Sequence, residues 1–196
     1  MEKVFLFDVG NVLMYPFDFE EFYNTLNIEE DFDEFKEFFI RTCNLAESGK
    51  MSDYDFFDGI IKRYNLNISI DELRQIYLNS DGDFNPEALE LLRKIKSKGY
   101  KIYILSDLKE TDFSDFKEHV SEDLYDKFYK SYEIGYTKPS REIYEYVIND
   151  LGINPSNIIF FDDKEKNVNG AREVGIDARL VNSFNLIEYF NNNDFI

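Results

Sequence analysis

Three apolar runs in this chain each stop abruptly at a polar side chain. Val4-Phe5-Leu6-Phe7 stops at Asp8, the run from Lys101 to Leu105 stops at Ser106-Asp107, and the run from Asn157 to Phe161 stops at Asp162-Asp163. Between the last two lies Lys138, in Gly135-Tyr136-Thr137-Lys138-Pro139, at the expected start of a helix. Singly, an aspartate after a strand is a turn former and a lysine is a solvated charge. Together they predict a site. Short continuous apolar runs read as strands of a parallel sheet covered on both faces, and open α/β sheets bind ligands at the carboxyl ends of their strands. Carboxylates gathered there repel and partly protonate unless a cation compensates. A hard divalent ion is the economical solution, and Mg²⁺ takes one or two carboxylates together with waters and substrate phosphate. An ammonium group at a helix start adds positive potential for an anion.

The elements that must position these groups follow from periodicity and caps. Asp18 to Asn27 and Asp31 to Glu47 carry aromatics at helical spacing, and Gly49 ends the second run. Ser52 caps a helix over Asp53–Tyr64, and Ser69 with Glu72 forms a capping-box signal for a helix to Leu78. Residues 15–80 therefore read as helices only. From Asn85-Pro86 the pattern alternates: helix to Lys98, strand 101–105, an irregular helical stretch to Lys130 and a short strand near Tyr132–Ile134. A helix over Ser140–Leu151, strand 157–161, a helix over Asn167–Val174, a short strand at Arg179–Val181 and a fraying Asn-rich tail complete the chain. Alternating strands and helices imply a parallel sheet with right-handed crossovers. A βαβ unit needs only about 30 residues, so the far longer connection from Asp8 to Ser106 carries an excess of helix beside the strand ends.

Composition narrows the function classes. With 196 residues and 43% hydrophobic side chains, the chain suits one domain with a smaller appendage and is not disordered. A formal charge of −18 argues against nucleic acid and anionic membranes as partners, and it makes a local cation necessary for any phosphate-bearing substrate. The single cysteine, Cys43, allows no internal disulfide and reads as a packing residue; the single histidine, His119, reads as a surface helix residue. No run approaches the roughly 20 apolar residues of a membrane span, and the N-terminus is too short and charged for a signal peptide. The expectation is a cytoplasmic protein.

The motifs resemble those of the haloacid dehalogenase-like hydrolase superfamily, in the branch with a helical cap after the first strand. Phe7-Asp8-Val9-Gly10-Asn11-Val12-Leu13 resembles its first motif and Ile104-Leu105-Ser106-Asp107 its second. Lys138-Pro139 with Glu142-Ile143-Tyr144 resembles the third, and Phe160-Phe161-Asp162-Asp163 with Asn167 and Gly170-Ala171 the fourth. Gly49-Lys50-Met51-Ser52 is also similar to the family, and the Asp-x-Gly-Asn-Val form resembles bacterial phosphatases that act on α-D-glucose 1-phosphate. The resemblance implies an α/β fold: a Rossmann-like three-layer core with a parallel sheet, from residues 1–14 and 81–196, and a small all-helical cap from residues 15–80.

The same resemblance implies a Mg²⁺-dependent phosphatase acting on a small phosphorylated metabolite, such as a sugar phosphate, through covalent catalysis. Asp8 would attack phosphorus and become an aspartyl phosphate. Mg²⁺ would be held by Asp8, the Gly10 carbonyl and Asp163, beside Asp162. Ser106, the Asp107 backbone and Asn11 would bind substrate, and Lys138 would neutralise charge on nucleophile and phosphate. Two positions depart from the family. Gly10 stands where its phosphatases carry a second aspartate as general acid and base, which favours substrates with good leaving groups or an acid recruited from the cap. Asp107 stands where asparagine is usual. Phosphotransfer to a second hydroxyl, as in a mutase, and a catalytically decayed binding module are the rival readings. Oligomeric state is not legible in the sequence.

Overall fold

The computed structural model describes residues 3–193. Its centre is a five-stranded parallel sheet of β1 (Val4–Phe7), β2 (Lys101–Ser106), β3 (Lys127–Lys130), β4 (Ile158–Asp162) and β5 (Asp177–Leu180). The strand order is β3-β2-β1-β4-β5, which places β1 in the middle. Phe7 pairs with Ile104 on one side and Phe161 on the other, so the three apolar runs end level with one another.

Alternation along the strands sorts their side chains into two layers. Phe5, Phe7, Ile102, Ile104 and Phe161 face one way, onto α5 (Pro86–Ser97), α6 (Glu110–His119) and α10 (Leu186–Asn192). Leu6, Leu105 and Phe160 face the other, onto α8 (Arg141–Leu151) and α9 (Glu165–Glu173). The result is the three-layer α/β core that the family resemblance implies, around the parallel sheet that the run-and-helix pattern predicts.

Between β1 and β2 the chain forms α1 (Phe19–Leu26), α2 (Phe32–Glu47), α3 (Asp53–Tyr64) and α4 (Ile70–Asn79). Their buried faces meet in a separate apolar cluster built on Phe22, Phe35, Phe39, Phe56, Phe57 and Leu73. Burying a side chain of this size contributes about 1.5–3 kcal/mol. Asp31, Ser52 and Ser69 cap their helices, and Ser69 with Glu72 forms the expected reciprocal box.

The outgoing and returning linkers run side by side. Tyr15 N donates to Asp83 O (2.9 Å), Asn85 N to Leu13 O (2.9 Å), and Met14 and Phe84 form an antiparallel bridge. Gly82 lies so close to the Tyr15 carbonyl that a Cβ would collide with it.

Three elements differ from the sequence expectation. The third strand is Lys127–Lys130, not Tyr132–Ile134, which instead forms a single helical turn, α7 (Ser131–Ile134), closed by Gly135 at φ 87°. Lys138 sits in the turn before α8 rather than at its first residue, and its peptide bond to Pro139 is cis. The Asn-rich tail is helical over α10 because Leu186 and Phe190 bury against the sheet; the last three residues fall outside the described range. Among the described residues no helix is long and apolar enough to cross a membrane.

Candidate active site

The strand order reverses direction at β1: β2 lies to one side of it and β4 to the other. Crevices at such switch points are where open α/β sheets bind ligands. Asp8, Ser106-Asp107 and Asp162-Asp163 all emerge here, and Lys138 reaches in from the loop ahead of α8.

Lys138 is buried, and its Nζ lies 2.7 Å from Asp8 Oδ1, 2.9 Å from Asp162 Oδ2 and 3.2 Å from the Leu105 carbonyl. Burial works against its ammonium form, but the carboxylates of Asp162, Asp8 and Asp107 outweigh that and hold its pKa well above the usual lysine range. Asp8 Oδ1 also accepts the Val9 N–H at 2.7 Å, so both of these bonds fall on one oxygen and leave Oδ2. Burial pushes Asp8 up to about 7, with Asp162 adding to the rise and Lys138 and Lys164 opposing it.

Asp162 is fully engaged. Burial alone would raise its pKa, yet Lys138, the Lys164 N–H and the Asn167 amide together lower it. Lys164 N donates to Oδ1 at 2.8 Å, and Asn167 Nδ2 spans Oδ1 and Oδ2 at 2.9 and 3.1 Å. Asn167 is in turn fixed through its carbonyl by the Tyr144 hydroxyl (2.8 Å).

Asp163 differs from its neighbour. Its Oδ2 accepts from Asn11 Nδ2 at 3.0 Å, whereas its buried Oδ1 has no hydrogen-bond partner among the described residues. A buried carboxylate oxygen without a donor is costly unless something else fills the place. Asp8, Asp162 and Asp163 each offer an oxygen, and these three oxygens lie within 4.8 Å of one another.

Asn11, expected at the substrate, donates its amide to Asp163. It adopts φ 53°, a left-handed conformation that Asn tolerates better than most residues. Its Oδ1 accepts from Ser183 Oγ (3.1 Å) and its carbonyl from Ser183 N (2.7 Å), which ties the β1 loop to the chain after β5. Gly10 is exposed, and a Cβ there would meet nothing within 4 Å, so packing does not impose glycine at that position. Asp107 turns its Oδ1 to the Lys138 N–H at 2.9 Å, and burial raises its pKa to about 6. Ser106 is buried at the end of β2.

Lys164, Asn11's partner Ser183 and the bracing role of Asn167 go beyond the residues singled out from the sequence for the site. Lys164 directly follows Asp162-Asp163, which is a usable signal; Ser183 carries none. A cavity of about 920 Å³ beside the linkers, lined by Met14, Asp53, Arg74, Asp81 and His119 among others, contains none of the strand-end residues.

The profile of the hydrolase family described as haloacid dehalogenase-like hydrolase matches residues 2–175. The chain belongs to that family. Among relatives, a sesquiterpene phosphatase of Aspergillus oryzae is 30% identical over 138 residues, 69% of each chain. A D-ribitol-5-phosphate phosphatase of Bacteroides thetaiotaomicron is 27% identical over 140 residues, 67% of each. A haloacid dehalogenase family enzyme of Bacteroides thetaiotaomicron, crystallised with magnesium and inorganic phosphate, superposes with a TM-score of 0.78 at 27% identity, covering 93% of this chain and 96% of that one. Like these relatives, this haloacid dehalogenase-like hydrolase is an enzyme.

Proposed function

We propose that the strand-end cluster is the centre of a Mg²⁺-dependent phosphatase that hydrolyses a small phosphomonoester, such as a sugar phosphate, through an aspartyl phosphate on Asp8. One observation carries the reading: Asp8 and Asp162 pair with Lys138, Asp163 brings a third carboxylate oxygen within 4.8 Å of theirs, and among the described residues the buried Asp163 Oδ1 has no donor. Carboxylates gathered this closely repel one another, and a divalent cation compensates them. The oxygen-only donor set is of the hard kind that Mg²⁺ prefers. Asp8, the Gly10 carbonyl and Asp163 are assigned to hold the ion. Asp162, whose oxygens are already bonded, is assigned to positioning Lys138.

Bound Mg²⁺ would keep Asp8 ionised and draw charge off the phosphoryl oxygens. The Asp8 carboxylate attacks phosphorus as the P–O ester bond breaks, and the departing alkoxide takes a proton from solvent; water then hydrolyses the acyl phosphate, releasing inorganic phosphate and returning the free carboxylate. Lys138 neutralises charge that develops between nucleophile and phosphate, while Ser106 and the backbone at Asp107 take the remaining oxygens. With no carboxylate at Gly10 to protonate the departing oxygen, general-acid assistance of about 10²–10⁴-fold is missing from that position. Rates should therefore climb steeply as the leaving group improves. Residues 1–14 and 81–196 are assigned to the catalytic core and 15–80 to a cap over the crevice. The magnesium and phosphate bound by the Bacteroides enzyme, and the activity of the ribitol phosphate relative, support the reading.

The test is release of phosphate from p-nitrophenyl phosphate with Mg²⁺. Turnover should fall at least ~10³-fold in Asp8→Asn and on chelation of the metal. A chain that keeps full turnover after either change would sink the proposal.

A further inference from the structure

Asp8, Asp107, Asp162 and Asp163 stand at strand ends or directly after them, whereas Lys138 stands in the turn between α7 and α8. A lysine stem is flexible, so the place of its ammonium group depends on where its main chain is held. Within the turn, Gly135 N donates to Ser131 O at 2.8 Å and Ser140 N to Thr137 O at 2.9 Å. These bonds shape the turn without tying it to the sheet. α9 closes on it from one side: a Cβ on Gly170 would lie 2.8 Å from the Pro139 carbonyl. That contact limits how near the two segments come and does not orient an N–H.

The end of β2 supplies the orientation. The Lys138 N–H donates to Asp107 Oδ1 at 2.9 Å, and Lys138 Nζ donates to the Leu105 carbonyl at 3.2 Å. Two neighbouring groups therefore hold the lysine at its main chain and at its tip. With both ends fixed, Nζ meets Asp8 Oδ1 at 2.7 Å and Asp162 Oδ2 at 2.9 Å. Asp107 thus touches the centre by way of Lys138.

A carboxylate is a demanding choice here. Burial raises Asp107 to about 6; the Lys138 ammonium opposes the rise, Glu47 adds to it, and the Lys138 N–H and Lys164 oppose it. Above that pH the group is an anion close to a site assigned to phosphate, and like charges repel. In return, an ionised acceptor makes a hydrogen bond roughly twice as strong as a neutral one. An amide could accept the same N–H, but more weakly. The charge favours a firmly held turn over easy entry of an anion.

We propose that Asp107 is a positioning residue: it accepts the Lys138 N–H and so fixes the turn from which the ammonium group reaches Asp8 and Asp162. The inference rests on the phosphatase reading above and adds to it the group that places the lysine. The experiment measures kcat and KM on p-nitrophenyl phosphate with Mg²⁺ at pH 8. Asp107→Ala should lower kcat about 10–100-fold, the loss expected for a hydrogen bond to a charged group, with KM within about threefold of wild type. Asp107→Asn keeps an acceptor oxygen and should lose less than about fivefold. Lys138→Met keeps the N–H and removes the ammonium. In that background Asp107→Ala should lower kcat by less than about threefold further, because two residues acting through one group do not add. An unchanged kcat in Asp107→Ala overturns the proposal. So does a loss carried by KM, an equal loss in Asp107→Asn, or an undiminished loss in the Lys138→Met background. Failure of the phosphatase reading would look different, as absence of turnover by the wild type itself.

Discussion

Two lysines are buried among the described residues, Lys138 and Lys109, and their surroundings differ in a way that separates chemistry from architecture. Lys138 meets two carboxylates at the strand ends, Asp8 and Asp162, and feels the charge of a third, Asp107. Lys109 contacts one carboxylate, Asp112 (2.9 Å), together with the Tyr77 hydroxyl (2.9 Å) and the faces of Phe56 and Tyr77, at 5.2 and 4.4 Å from the ring centres. At Lys109 the protein provides the cation for its own carboxylate, and the group joins α4 and α3 to the start of α6. At Lys138 the carboxylates outnumber the ammonium, and the excess must be met from outside. Burial of a charge therefore does not by itself mark a reactive centre.

The strongest way to break this contrast is to remove each lysine in turn. Lys138→Met should lower turnover on p-nitrophenyl phosphate by at least ~10³-fold through loss of charge stabilisation. Lys109→Met leaves the half-buried Asp112 without its counter-charge and should cost about 3 kcal/mol of stability, read by denaturant unfolding. Turnover per folded molecule should stay within about threefold of wild type. Exchanged outcomes would mean that the roles of the two lysines are reversed.

A second test uses pH and metal. Burial raises Asp8 and Asp81 to about 7 and Asp107 to about 6, from an ordinary 3.8. The folded protein then holds protons that the unfolded chain has released. The stability these groups contribute is complete below pH 4 and is lost as pH rises through 6 and 7. The metal-free protein should accordingly melt lower at pH 8 than at pH 5. Mg²⁺ should raise the melting temperature more at pH 8, by meeting Asp8. It should leave the share due to Asp81, which lies in the fields of Asp112 and Lys109, unrepaired. A metal effect equal at both pH values would contradict the assignment of the ion to Asp8.

The mildest test is Tyr77→Phe, which takes one oxygen from Lys109. It should cost about 1–2 kcal/mol, a drop of roughly 2–8 °C in melting temperature for a chain of this length, with turnover unaltered. A loss of turnover without a change in melting would place Lys109 in the chemistry after all.

Much of this arrangement is legible in the sequence because the physics is local. β1, β2 and β4 are buried on both faces, so they appear as unbroken apolar runs, and the polar residue that ends each run marks the crevice. Ser52 and Ser69 announce α3 and α4 for the same reason: a cap and its helix are adjacent in sequence. β3 escapes notice because Lys127-Phe128-Tyr129-Lys130 is an edge strand whose charged ends interrupt the apolar signal. Tyr132–Ile134 offers a similar pattern but is held as a turn, with Ser131 Oγ accepting from Leu108 N at 3.0 Å. The tail hides its helix because only Leu186 and Phe190 bury, in a background of asparagine. Contacts between side chains far apart in sequence are illegible in kind. Asn11 finds Ser183, and Lys109 finds Tyr77 and Cys43, only after the chain has folded.

The paired linkers carry a consequence of another sort. Because the chain departs at Leu13 and returns at Asn85 through one hydrogen-bonded ladder, the sheet sees the same two anchored ends whatever lies between them. The entropy of closing such an excursion grows only with the logarithm of its length. The four-helix excursion is in effect an exchangeable attachment, replaceable without moving a strand.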